Sequence, residues 1–125
     1  MISKNRLLLI LYICTTIIIF KCTKPENEVS YSFDIQPIFN SECIHCHGNH
    51  EPSADLSLTS YDSLIAGNSY SGPVVKPELK PRHSILMQKI DYNPPFGSRM
   101  PDDGPPYLND HEIDLIWQWI YNGAK

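Results

Sequence analysis

The chain has 125 residues, with 10 Lys and Arg against 14 Asp and Glu and a formal charge of −4. That length allows one small domain plus a leader. The acidic balance excludes a nucleic-acid-binding surface, which needs a basic face.

The leader comes first. Lys4 and Arg6 precede an apolar run from Leu7 to Phe20, broken by Cys14, Thr15 and Thr16. The run is 14 residues long, whereas a membrane-spanning helix needs about 20. A basic start and a short apolar stretch mark a secretory signal peptide over residues 1–21. Cys22 follows, and the segment resembles a bacterial lipoprotein signal, which implies lipidation at Cys22. Lys21 stands where that signal takes a small residue. An uncleaved anchor and cleavage without lipid are the alternatives. Removal of residues 1–21 leaves 7 Lys and Arg against 14 Asp and Glu, a formal charge of −7. Such a surface suits a basic redox partner, and a solvated acidic surface accounts for it equally well.

Residues 22–31 are polar and without periodicity, and read as a tether to the domain at 32–125. A first helix starts near Ser32 or Asp34 and runs towards Asn40, with Phe33, Ile35, Ile38 and Phe39 as its apolar positions. Pro37 suits only a first turn. Gly48 permits a sharp change of direction. Residues 49–58 read as loop. Thr59 to Asp62 resembles a capping box for a short helix ending at Ala66 and Gly67. Pro73, Pro77 and Pro81 exclude a long helix over 68–82, with Val74 and Val75 as a short extended piece. Ser84 caps a helix from Ile85 to about Ile90. Residues 91–107 carry five prolines, each stiffening the loop. Asn109 to Glu112 is a second capping box, opening a strongly apolar last helix that Gly123 closes. The fold class is all-α, with three to four short helices joined by long Pro-rich loops. Loops of that length are easier to understand when they wrap a ligand, and a chain with 11 prolines has little regular structure to pack without one.

Cys43-Ile44-His45-Cys46-His47 carries the chemistry. It reads C-x-x-C-H, the attachment sequence for c-type haem. Two thiols three positions apart can each add across a haem vinyl group, and the histidine that follows can reach the iron as an axial ligand. Cys43 and Cys46 are the expected thioether sites and His47 the proximal ligand. His45 lies inside the motif, off its ligand position, and reads as an exposed side chain. With Cys14 in the leader and Cys22 at the lipid site, a Cys43–Cys46 bond is the one disulfide left to the domain. A thioredoxin-like pair needs a preceding strand, which the sequence does not offer. A zinc site needs four ligands. His50 and one more histidine would have to complete it, without a second C-x-x-C.

Met100 is the favoured second axial ligand. A thioether is a soft ligand that stabilises ferrous iron, and Met100 sits before Pro101 in the stiffened loop. Met87 reads as helix core. His50, His83 and His111 are the alternative ligands of a bis-histidine site. Trp117 and Trp119 read as core aromatics of the last helix.

From Phe33 to Ala124 the chain resembles class I cytochrome c domains, in particular the short cytochrome c-like modules of bacterial exported proteins. The resemblance rests on FDIQPIFNSECIHCHG at 33–48, DLSLTSYDSLIAG at 55–67, RMP at 99–101 and HEIDLIWQWIYNGA at 111–124. The segment at 74–84 departs from it, with Glu78 where related modules carry glycine. The resemblance implies an all-helical haem fold with first and last helices crossing. It also implies one covalent haem c per chain, with His47 and Met100 on the iron. The function expected is single-electron transfer between redox proteins by a monomer. The leader and the resemblance together lead to the expectation of a protein exported to the periplasmic side of a bacterial membrane, tethered through its N-terminus and not itself an enzyme. A haem sensor or haem enzyme with a displaceable sixth ligand is the alternative.

Overall fold

A computed structural model describes residues 28–69 and 72–125. The expected signal peptide, Cys22 and most of the tether lie outside the described residues. Among the described residues no helix is long and apolar enough to cross a membrane.

The chain enters through a wide π-helical turn, Tyr31–Ile35, that runs directly into α1, Gln36–Glu42. Pro37 occupies the first turn of α1, at the point where the π-helical turn gives way to the α-helix, so its missing amide falls at the change of hydrogen-bonding pattern. Ile35, Ile38 and Phe39 share one face and are buried, as their spacing requires. Phe33 is 80% exposed, against the expectation that it belongs to that face. It stands two residues before Ile35, and residues two apart do not share a side of a helix. Packing begins earlier than residue 32. Val29 lies against the core and Tyr31 is buried in it, so the tether's last residues are part of the packed unit.

The second helix, α2, spans Tyr61–Ala66. Its cap is Ser60, whose Oγ accepts from the Ser63 amide at 3.2 Å. The expected Thr59–Asp62 box does not form. Thr59 instead donates its hydroxyl to Asn49 Oδ1 at 2.6 Å, tying the loop after the C-x-x-C-H segment to α2. Two short strands follow, β1 at Asn68–Ser69 and β2 at Gly72–Pro73, paired antiparallel. Val74 and Val75 continue from β2 into the core.

Helix α3, Ile85–Ile90, follows Ser84 as expected, yet Ser84 does not cap it with its side chain. The hydroxyl is buried and accepts from the Lys76 amide at 2.9 Å, pinning the preceding loop. Residues 91–109 form no helix or strand. Helix α4, Asp110–Tyr121, opens with a complete capping box. Asn109 Oδ1 accepts from the Glu112 amide at 3.1 Å, and Glu112 Oε2 accepts from the Asn109 amide at 2.9 Å.

The core forms where the entry turn of α1 meets α4. Tyr31 and Trp119 have ring centroids 5.4 Å apart, and Tyr31 and Tyr61 5.2 Å apart. Ile35, Phe39, Leu64, Ile116 and Ile120 fill the space between the elements. The fold is thus a small all-α one in which the entry turn of the first helix lies against the last helix. The proline-rich sequence still builds a packed apolar interior from its own side chains.

Candidate haem site

Helix α1 does not stop cleanly. The Phe39 carbonyl accepts from both Cys43 and Ile44 amides, at 2.9 and 3.0 Å. The Cys43 carbonyl then accepts from Cys46 and His47, at 3.2 and 2.9 Å. The pentapeptide winds onward from the helix end, and this tight winding brings both thiols and the imidazole to one wall. Gly48 follows, and a Cβ there would stand 2.7 Å from the Ile44 carbonyl oxygen. The close approach of backbone to backbone requires glycine at that position.

That wall faces a cavity of about 380 Å³ lined by Cys43, Cys46, His47, Met100, Pro101 and Pro106, with Glu42, Asp102 and Asp103 at its polar part. The volume falls within the range of small-molecule pockets, roughly 300–1,000 Å³. Cys43 and Cys46 come from the end of α1, whereas Met100 and the prolines come from the loop before α4. The cavity therefore gathers residues more than fifty positions apart in sequence. Met100 also packs against the core.

The two cysteines are not joined as a disulfide. Cys46 is exposed and Cys43 half-buried. Burial pushes the Cys43 thiol up to about 12, with the carboxylates of Glu42 and Glu112 adding to the effect. At neutral pH it is a thiol, not a thiolate. His47 Nδ1 lies 3.2 Å from the Leu56 carbonyl oxygen. A proton on Nδ1 satisfies that carbonyl and leaves the Nε2 lone pair free, the arrangement that orients a metal-ligating histidine.

The other candidates are placed elsewhere. His45 is exposed at the cavity lip, with Nε2 3.8 Å from Asp103 Oδ2. His50, His83 and His111 are exposed and do not line the cavity. Met87 is buried in the core on α3. Among the described residues no group of three or more His, Cys, Asp or Glu side chains gathers in a metal-binding cluster. Trp119 is core, as expected. Trp117 is not: it is 40% exposed and stacks on Tyr121 with centroids 5.0 Å apart. Position 117 falls on the outer side of α4, two residues from the inward Trp119 and four from the outward Tyr121.

Sequence reasoning missed Leu56, whose backbone carbonyl carries no side-chain signal. It also missed Arg99, whose guanidinium lies between the rings of Tyr92 and Tyr107. The visible signal was an arginine beside the candidate ligand, in a loop carrying a tyrosine on either side.

Free thiols in a C-x-x-C-H turn, an oriented imidazole and a thioether on the facing loop are a donor set that fits a covalently held haem. No curated protein and no solved structure matches the chain. Residues 43–104 match the family model described as planctomycete cytochrome C, a match that begins at Cys43 and takes in Met100. The match supports a cytochrome c-like domain in this chain, which implies covalently attached haem c with its iron.

Proposed function

We propose that the protein is a membrane-tethered monohaem cytochrome that carries single electrons between redox proteins and has His47 and Met100 as its axial ligands. The observation that carries this reading is the single cavity onto which Cys43, Cys46, His47 and Met100 converge from two distant segments. Cys43 and Cys46 would hold the macrocycle as thioethers. His47 presents Nε2, its ring fixed through Nδ1 by the Leu56 carbonyl. Met100, on the facing wall of the cavity, would hold the iron as well and leave no position for a substrate, which is the basis for reading the domain as an electron carrier and not an enzyme. When bound, the haem supplies a one-electron couple between ferrous and ferric iron. The acidic residues Glu42, Asp102 and Asp103 at the cavity suit a partner with a basic docking face. The sequence of the leader supports export, a lipid on Cys22 and a place on the periplasmic side of a bacterial membrane. The protein works as a monomer.

The test has two parts. Purified exported protein, denatured and electrophoresed, should keep haem peroxidase activity in its band, because only covalent haem survives that treatment. Loss of the stain would overturn the haem reading. Met100→Ala should then abolish the long-wavelength sulfur–iron absorption of the ferric protein. An unchanged spectrum would remove Met100 from the ligand set. Rapid carbon monoxide binding by the unmodified ferrous protein would shift the reading to a sensor or enzyme with an open sixth position. Cys22→Ala should release the protein from membranes, and retention would refute the lipid tether.

A further inference from the structure

Met100 sits in a stretch without helix or strand, so something other than repetitive backbone bonding must hold its sulfur in place. The end of α3 supplies part of the answer. The Met100 amide donates to the Lys89 carbonyl at 2.7 Å. The Lys89 ammonium donates to the Phe96 carbonyl at 3.3 Å and also to the Ser98 carbonyl, so one side chain gathers the loop just before Met100. Arg99 supplies the rest. Its guanidinium carbon lies 4.4 Å from the Tyr92 ring centroid and 4.3 Å from that of Tyr107. Its Nε donates to the Ile90 carbonyl at 3.3 Å, and its Nη2 atom is buried without a hydrogen-bond partner.

A buried guanidinium nitrogen without a polar partner is costly. The cost is offset here by two ring faces, each attracting the cation through its quadrupole. Tyr92 follows α3 and Tyr107 precedes α4. The cation therefore bridges the two ends of the loop that presents Met100. Tyr92 is itself held by a hydrogen bond from its hydroxyl to Asp110 on α4. Arg99 does not line the cavity, so it reaches the site only through its neighbour.

We propose that Arg99, sandwiched between Tyr92 and Tyr107, is the positioning residue that keeps the Met100 sulfur in the haem cavity. This rests on the reading of Met100 as an axial ligand. Without the sandwich the loop keeps only its α3 contacts and the packing of Met100 on the core, and the population with the sulfur withdrawn rises. An exogenous ligand that needs the vacated position binds in proportion to that population.

The experiment compares carbon monoxide affinity of the ferrous holoprotein with the sulfur–iron absorption of the ferric holoprotein. Arg99→Ala should raise the affinity about tenfold, the scale of losing two partly desolvated cation–ring contacts, and should weaken the absorption. Arg99→Lys keeps the charge without the planar group that lies flat between two rings, and should fall between Arg99→Ala and the unmodified protein. Tyr107→Phe keeps the ring and should change neither readout. Tyr107→Leu should behave like Arg99→Ala, and the double variant should add little to either. Met100→Ala separates the two claims. If it changes both readouts and Arg99→Ala changes neither, the positioning role is overturned and the ligand reading stands. If Met100→Ala changes neither, both fall. Tyr61→Phe removes a bond to the Ala124 carbonyl outside this loop and reports what loss of stability alone does. An effect on affinity as large as that of Arg99→Ala would overturn the specific role of Arg99.

Discussion

His47 is gripped by one short stretch of backbone at both its ends: its Nδ1 meets the Leu56 carbonyl at 3.2 Å, and its own carbonyl accepts from the Leu58 amide at 2.8 Å. Turning the imidazole breaks its bond to the Leu56 carbonyl, so the ring's orientation depends on where residues 56–58 lie. Those residues are held in turn by α2 and the glycine that ends it.

Gly67→Ala should therefore be felt at the haem site. A Cβ at Gly67 would stand 2.5 Å from Leu56 Cδ1 and 2.9 Å from the Leu64 carbonyl oxygen. Leu56 Cδ1 must move to relieve the first contact, and the backbone at the end of α2 must give to relieve the second. The expected cost is about 1–3 kcal/mol in urea unfolding, the range for overpacking, with a change in the haem absorption bands. Gly123→Ala is the contrast. Its Cβ would meet only Lys125 Cε at 3.8 Å, and the strain comes from φ +96° at that position. It should cost about 1 kcal/mol and leave the absorption bands unchanged.

The two cysteines should separate by reactivity in protein made without haem. Cys46 is exposed, whereas the Cys43 thiol is half-buried and pushed up to about 12. At pH 8 its thiolate fraction is on the order of one in ten thousand. Brief iodoacetamide treatment followed by peptide mass mapping should find Cys46 carboxamidomethylated well before Cys43. Equal labelling would mean that the turn after α1 is open until haem is attached.

The haem motif was legible because its chemistry is contiguous: five consecutive residues hold both thiols and the imidazole. The Asn109–Glu112 cap was legible for the same reason, since it is complete within four residues. Errors arose where a local pattern competed with a distant partner. Thr59 has the right spacing for a cap, yet Asn49 takes its hydroxyl. Ser84 stands in front of α3, yet the Lys76 amide takes its oxygen. Trp117 is as apolar as Trp119, and only the rotation of α4 against Tyr31 decides which one is buried. Arg99 was invisible because its sandwich joins residues 92, 99 and 107 across a loop with no repeating geometry. Met100 could be put forward from the stiffened loop around it, but the contacts that hold that loop could not.

Tyr31 sets a pH dependence of stability. Its hydroxyl donates to Gln36 Oε1 at 2.7 Å, and burial, with Tyr61 nearby, raises its pKa from 10.0 to about 12. The folded state thus holds the phenol proton more tightly than the unfolded chain does. Stability from this group is fully present below pH 10 and is lost as pH rises from about 10 through about 12. Urea midpoints measured across that window should fall less steeply for Tyr31→Phe than for the unmodified protein. Parallel curves would show that Tyr31 ionises equally easily in both states.

The two tryptophans of α4 should give opposite results despite standing two residues apart. Trp119 is 1% exposed, packs on Tyr31, and donates its indole N–H to the Lys125 carbonyl at 3.0 Å. Trp119→Ala removes a large fully buried side chain and leaves a cavity at the meeting of α4 with the entry turn. Losses of about 3–5 kcal/mol are typical of such a change, a large part of the roughly 5–15 kcal/mol that holds a domain folded. The C-terminal turn should loosen as well, since the Lys125 carbonyl loses its donor. Trp117 is 40% exposed, and its main contact is the stacked ring of Tyr121. Trp117→Ala forfeits that stacking and little else, about 0.5–1.5 kcal/mol. Urea unfolding of the holoproteins checks both values. A larger loss at Trp117 than at Trp119 would mean that α4 is rotated from the orientation described, and with it the contact between first and last helices.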